Sequence, residues 1–236
     1  MYNNVNLNQR AGGVKIFCVI PAFNEEKNLA AVLEAVKPIV SQTVVVNDGS
    51  TDHTLEVALG ARVTVLTHLI NRGQGAALKT GTQFALTAGA DIIVHFDADG
   101  QFLASQIMTL AAPIINGEAE VVFGSRFLNP DSSSLNMPAQ KKYLIMPLAR
   151  LFNRIFLKVK LTDPQSGLRA LSRHAAEIID WRQDGMAHCS EILFAAAKAR
   201  LKIREVPITV IYRHFGQRLS GGFRIVKDLL IARLIN

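Results

Sequence analysis

The chain has little of what announces several common chemistries. Two cysteines stand in 236 residues, Cys18 and Cys189. That is too few, and too widely spaced, for a disulfide framework or a cysteine metal site, so a reducing compartment is the default. The opening MYNNVNLNQR lacks the apolar stretch of a signal peptide. No run reaches the roughly 18 apolar residues that suggest a membrane span. Aromatic residues make up 7% and do not interleave with basic ones, which argues against nucleic acid as a partner. The six histidines, His188 and His214 included, show no ligand spacing, and no Ser/His/Asp or nucleophilic Cys arrangement stands out. With 49% hydrophobic and 19% charged residues, what remains is one large folded domain with a sizeable core.

Charge is unevenly spread. Through Ser125 there are 7 Lys and Arg against 11 Asp and Glu; from Arg126 onward there are 19 against 8. The basic second half suits an anionic partner such as membrane lipid or a phosphorylated substrate, or simply a solvated basic surface. The hydropathy pattern divides at a similar point. Strands are expected at Lys15–Ala22, Thr43–Asn47, Arg62–Thr67, Asp91–Phe96 and Glu120–Gly124. Helices are expected between them: Glu25–Val36 capped by Asn24, then Asp52–Leu59, Gly75–Ala88 ended by Gly89, and Ala104–Ile115. Strands apolar throughout and separated by helices predict an α/β fold, a mainly parallel sheet covered on both faces. From Asn129 the pattern changes. Pro147 suits the first turn of a helix running to Lys160, with Arg150, Arg154 and Lys158 on one side and Leu148, Leu151, Phe152 and Ile155 on the other. This basic amphipathic helix fits peripheral membrane contact, and equally a helix packed on the domain or a homodimer interface. A second basic amphipathic stretch, Phe223–Ile235, closes the chain, and KIREVPITVIY reads as a further strand.

The segments that look chemical all follow strands: PAFNEE, NDGSTD, DADGQ and GSR. In parallel sheets ligands bind beyond the carboxyl ends of the strands. Asp97, Asp99 and Gln101 alternate along an extended turn and offer a hard, all-oxygen ligand set suited to Mg²⁺ or Mn²⁺; a purely structural turn is the other reading. INRGQGAALKTG matches neither G-x-x-x-x-G-K-[ST] nor G-x-G-x-x-G, because Leu78 stands where each needs glycine. Its glycines either let backbone approach a ligand or only shape the turn into a helix. Asp48 can accept from a base edge or ribose, or cap the next helix. Arg126, Arg213 and Arg218 are candidates to clamp phosphates.

Taken together and in order, VIPAFNEEKNL, VVNDGSTD, NRGQGAALKTG, DADGQ, GSR and DPQSGLRALSR resemble inverting glycosyltransferases of the GT-A fold, family 2 type. The resemblance is nearest to dolichol-phosphate mannose synthases and polyprenyl-phosphate glycosyltransferases and spans residues 14 to 220. It implies a GT-A sheet with amphipathic interface helices, a nucleotide-sugar half (14–126) and an acceptor half (127–220), with residues 1–13 and 221–236 flanking them. It implies that Pro21, Phe23, Glu25, Val46, Asp48, Asp97 and Ala98 bind the nucleotide, and that Asp97, Asp99 and Gln101 hold the metal. Arg126 and Arg213 would bind phosphates, while Asp163 and Arg169 would shape the acceptor side. Two departures stand out: Asn47 replaces the family's first Asp of Asp-Asp-Gly-Ser, and in RHFGQRLSGG Arg218 falls where Ser is expected and Leu219 where Lys is expected.

A lipid phosphate, with a second pKa of about 6, can attack unaided; a hydroxyl acceptor would need a base, for which Glu191 is the best candidate. The expected activity is therefore sugar transfer from a GDP- or UDP-sugar to polyprenyl phosphate, at the cytoplasmic face of the membrane. The alternatives are a soluble glycosyltransferase with a hydroxyl acceptor, and a non-catalytic nucleotide- or membrane-binding module.

Overall fold

The computed structural model describes residues 13–128 and 161–211. The amphipathic stretches beginning at Pro147 and Phe223, and with them Arg213, His214 and Arg218, lie outside the described residues. Among those described, no helix is long and apolar enough to cross a membrane.

Seven strands form one sheet: β1 (Ile16–Ala22), β2 (Gln42–Asp48), β3 (Thr64–His68), β4 (Ile92–His95), β5 (Val121–Ser125), β6 (Arg169–Ser172) and β7 (Ile203–Pro207). Their spatial order is β3-β2-β1-β4-β6-β5-β7. Pairing is parallel except around β6, which runs antiparallel to both β4 and β5. Six helices complete the described fold: α1 (Leu29–Val36), α2 (Thr54–Gly60), α3 (Gln74–Thr87), α4 (Gln106–Ile115), α5 (Arg173–Ile178) and α6 (His188–Lys198).

Successive side chains of a strand point to opposite faces, and β1 divides accordingly. Ile16, Cys18 and Ile20 join the apolar layer that includes Leu29 and Leu33 of α1, Ala58 of α2, and Ile107 and Leu110 of α4. Phe17 and Val19 join the opposite layer with Ala77 and Leu78 of α3, Ala175 of α5, and Ile192 and Leu193 of α6. All seven β1 residues are buried, as a strand covered on both faces requires.

Two differences from the sequence expectation have local causes. The first helix begins at Leu29 rather than Glu25. Asn24 takes a φ of 56°, and the Glu25 and Glu26 N–H groups donate to Thr54 Oγ1 and Asp52 Oδ2 instead of opening a helix. The second is β6, four residues with the fully buried Arg169 at their start. A buried arginine hides a central strand from any reading based on apolar runs.

Candidate active site

The carboxyl ends of β1, β2 and β4 converge on a cleft of about 300 Å³ lined by Pro21, Ala22, Phe23, Glu25, Asp48, Asn71, Gly73, Gln74, Asp97, Ala98, Asp99 and Met186. Seven of these twelve are sequence-expected residues. The lining carries four carboxyl groups and no lysine or arginine.

Asp97 and Asp99 extend from β4, whose ladder continues through a bond from Phe96 N to Val19 O at 3.0 Å. Asp97 Oδ1 accepts from Gln74 Nε2 at 2.7 Å, and Asp99 Oδ1 accepts from Gln101 N at 3.0 Å. Burial first, and then the adjacent Asp99 charge, push the Asp97 carboxyl up to about 7, against the pull of Arg169. Burial also raises Asp99, opposed by the Gln101 N–H, and raises Glu25, where Asp99 adds to the effect. Among the described residues neither Asp97 nor Asp99 has an ion-pair partner, and no three His, Cys, Asp or Glu side chains form a metal cage. Two neighbouring carboxylates without an ion-pair partner are a donor set that fits a divalent cation. Gln101 meets Asp99 through its backbone, and its side chain is not part of the lining.

Asp48 ends β2 and is 2% exposed. It faces His68 Nδ1 at 2.6 Å and accepts from the backbone N–H of Arg72 at 3.0 Å and of Gly73 at 2.7 Å. Turn-making is left to its neighbours: Asn47 Oδ1 accepts from Ser50 N, and Asp52 Oδ1 from Thr54 N. Asp48 therefore holds the loop between β3 and α3 while keeping a place in the lining. Gly73, at the end of that loop, and Gly75, in the first turn of α3, admit the chain's own backbone. A Cβ on Gly73, whose φ is 105°, would come to 2.4 Å from Asp184 O, and one on Gly75 to 2.2 Å from Gln183 O. Trp181 Nε1 donates to Gly75 O at 2.9 Å and secures the same contact.

Other expected residues are placed differently. Val46 is fully enclosed in the layer under α3 and does not line the cleft, because its strand position faces that helix. Glu191, in the first turn of α6, accepts from the N–H groups of Arg182 and Gln183 at 2.8 and 2.7 Å and lies outside the lining. Arg126 forms a two-pronged bond with the fully buried Asp163, Nε to Oδ2 at 2.6 Å and Nη2 to Oδ1 at 2.8 Å. Arg169 is fully enclosed, its guanidinium covered by the start of α6. Its Nη2 donates to His188 Nε2 at 3.2 Å and to Cys189 Sγ at 3.1 Å. A guanidinium only donates, so His188 carries its proton on Nδ1, facing Gly185 O at 2.8 Å. Burial pushes the Cys189 thiol up, but the Arg169 guanidinium beside it outweighs burial and the thiol comes down to about 6.

Sequence reasoning missed Asn71, Gln74, Met186 and Gly167. Asn71 and Gln74 lie within the NRGQG segment, whose position after a strand was the available signal. Gly167 is packed so that a Cβ would stand 2.6 Å from Asp97 Oδ2.

The glycosyl transferase family 2 model matches residues 17–179. The UDP-N-acetylglucosamine–dolichyl-phosphate N-acetylglucosaminyltransferase of Methanococcus voltae is 35% identical over 243 residues, covering 93% of this chain and 96% of the relative. The undecaprenyl-phosphate mannosyltransferase of Micrococcus luteus is 31% identical over 220 residues, covering 89% of each. Among solved structures, glucosyl-3-phosphoglycerate synthase of Mycobacterium tuberculosis, in complex with Mn²⁺, uridine diphosphate and phosphoglyceric acid, has the same fold. Its TM-score is 0.70 at 22% identity, over 92% of this chain and 78% of that one.

Proposed function

Because the chain belongs to glycosyl transferase family 2, we propose that it transfers a sugar from a nucleotide-sugar to a polyprenyl or dolichyl phosphate, with inversion and with help from a divalent metal. The observation that carries this reading is the carboxylate-lined cleft at the sheet's carboxyl edge, free of basic side chains among its lining residues. An anionic diphosphate is repelled by Glu25, Asp48, Asp97 and Asp99 unless a cation lies between, so the donor and the metal belong together. Asp97 and Asp99 would hold Mg²⁺ or Mn²⁺, which when bound supplies Lewis-acid stabilisation of the leaving nucleoside diphosphate.

The remaining roles fall to the chain's own groups. Pro21, Ala22 and Phe23 supply an apolar wall suited to a base or ribose face, and Gln74 orients Asp97 through its 2.7 Å bond. Arg126, fixed by Asp163, stands after β5, and Arg213 and Arg218 add cationic side chains for donor or acceptor phosphates. A lipid phosphate is anionic near neutral pH and attacks without a general base. That agrees with Glu191 being engaged by backbone outside the lining. The relatives from M. voltae and M. luteus are named for dolichyl- and undecaprenyl-phosphate, and the surplus of positive charge beyond Ser125 suits such a substrate at an anionic surface.

The test is incubation with polyprenyl phosphate and radiolabelled UDP- and GDP-sugars in the presence of Mn²⁺, followed by organic extraction. Label should enter the organic phase with one donor. Asp99→Ala should lower that transfer at least about 100-fold, as loss of a transition-state charge stabiliser does. Label that stays aqueous with every donor but reaches a sugar hydroxyl would overturn the lipid acceptor, and full turnover by the variant would overturn the metal assignment.

A further inference from the structure

We propose that the Leu69–Ile70 tip of the β3–α3 loop inserts into the lipid bilayer and docks the carboxyl edge of the sheet against it. This rests on the lipid-phosphate reading above and assigns it a surface. The large apolar side chains that stay exposed are unevenly distributed. Among the described residues, Phe23, Leu69, Ile70, Leu103, Leu128 and Ile211 follow the carboxyl ends of strands and Met186 lines the cleft, whereas Val14, Leu59, Ile178 and Phe194 lie elsewhere. Leu69 and Ile70 are the extreme cases, 99% and 71% exposed and adjacent in sequence. Water disfavours such a pair, and contiguous exposed apolar groups mark interaction sites.

The tip is held rather than loose. The Ile70 backbone lies so close to Gly49 that a Cβ there would come to 2.5 Å from Ile70 C and Asn71 N. On its other side, Asp48 takes the N–H groups of Arg72 and Gly73. The loop thus presents two apolar side chains on a fixed support, with the exposed Arg72 beside them.

Charge selects a bilayer as the occupant. The described chain leaves this same edge at Leu128 and again at Ile211, and the segments that follow, 129–160 and 212–236, carry eleven Lys and Arg against two Asp. An apolar tip with the exposed Arg72 beside it, on the sheet edge from which these basic segments depart, matches acyl chains beneath anionic headgroups.

The decisive experiment places an environment-sensitive fluorophore at Leu69→Cys; Cys18 and Cys189 are buried, which confines labelling to the new thiol. With phosphatidylcholine–phosphatidylglycerol vesicles lacking polyprenyl phosphate, the emission should shift blue and become shielded from an aqueous quencher. The same label at Leu59→Cys should stay quenchable. The double variant L69S/I70S should cosediment with these vesicles at least tenfold less, at an unchanged melting temperature. A label at position 69 that stays quenchable while the protein sediments would overturn the proposal. So would a shift that appears without vesicles and grows with protein concentration, the signature of a second copy. Transfer to detergent-dispersed polyprenyl phosphate separates the two readings: if it persists while the label stays in water, the docking surface fails and the acceptor assignment stands.

Discussion

Gly167 shows how much of the site depends on atoms that are not there. A methyl group at this position would stand 2.6 Å from one Asp97 oxygen and 3.2 Å from the other, so the carboxylate can hold its place only against glycine. Gly167→Ala is therefore expected to cut sugar transfer by about 100-fold, the cost of misplacing a reacting group by roughly 1 Å, and to raise the Mn²⁺ concentration needed. Its melting temperature should stay near that of the parent. Kinetics at increasing Mn²⁺ check this; unchanged transfer would show that Asp97 tolerates displacement. Asp97 and Asp99 were legible in the sequence because they directly follow an apolar run. Gly167 and Gln74 were not, since each acts on Asp97 across a distance in sequence that no local periodicity records.

At the scale of elements, the packing of α3 on the sheet depends on close approach at Gly81. A Cβ there would reach Val19 Cγ1 at 2.3 Å and Val46 Cγ2 at 3.1 Å. Alanine ordinarily stabilises a helix interior by roughly 0.5–1 kcal/mol over glycine. Here overpacking, typically about 1–3 kcal/mol, opposes and exceeds that gain. Gly81→Ala should thus lower the urea midpoint without changing the slope of the transition. The strand–helix alternation from β1 to β5 could be read from the sequence because each strand is a short apolar run bounded by polar turns. The insertion of β6 could not. Its four residues include a buried arginine, and its partners in β4 and β5 are set by tertiary pairing alone.

For the whole molecule, His95 ties stability to pH in a definite sense. His95 is fully buried, its Nε2 is 2.9 Å from Thr82 Oγ1, and its Nδ1 has no hydrogen-bond partner. Burial above all, and then Arg169 and His188, hold its pKa well below 6.5. The unfolded chain gains a proton as pH falls through about 6.5 while the folded chain does not. Stability contributed by neutral His95 is therefore present above that pH and declines below it, by about 1.4 kcal/mol per pH unit. Asp97, raised to about 7, acts in the opposite sense over the same range. The His95 contribution is therefore read from urea titrations at pH 7 to 5 as the difference between parent and His95→Gln; identical pH dependence in the two would remove His95 as a cause. The antiparallel β6 has a consequence in time as well as in space. During synthesis β4 is complete long before its partner, since Arg169 follows His95 by roughly 70 residues. At about 5–20 residues per second, that leaves β4, paired to β1 on one side, without a partner on the other for roughly 4–15 s. The nascent chain thus spends that interval with an open edge in the middle of its future sheet, the stage at which a ribosome-associated chaperone has most to shield.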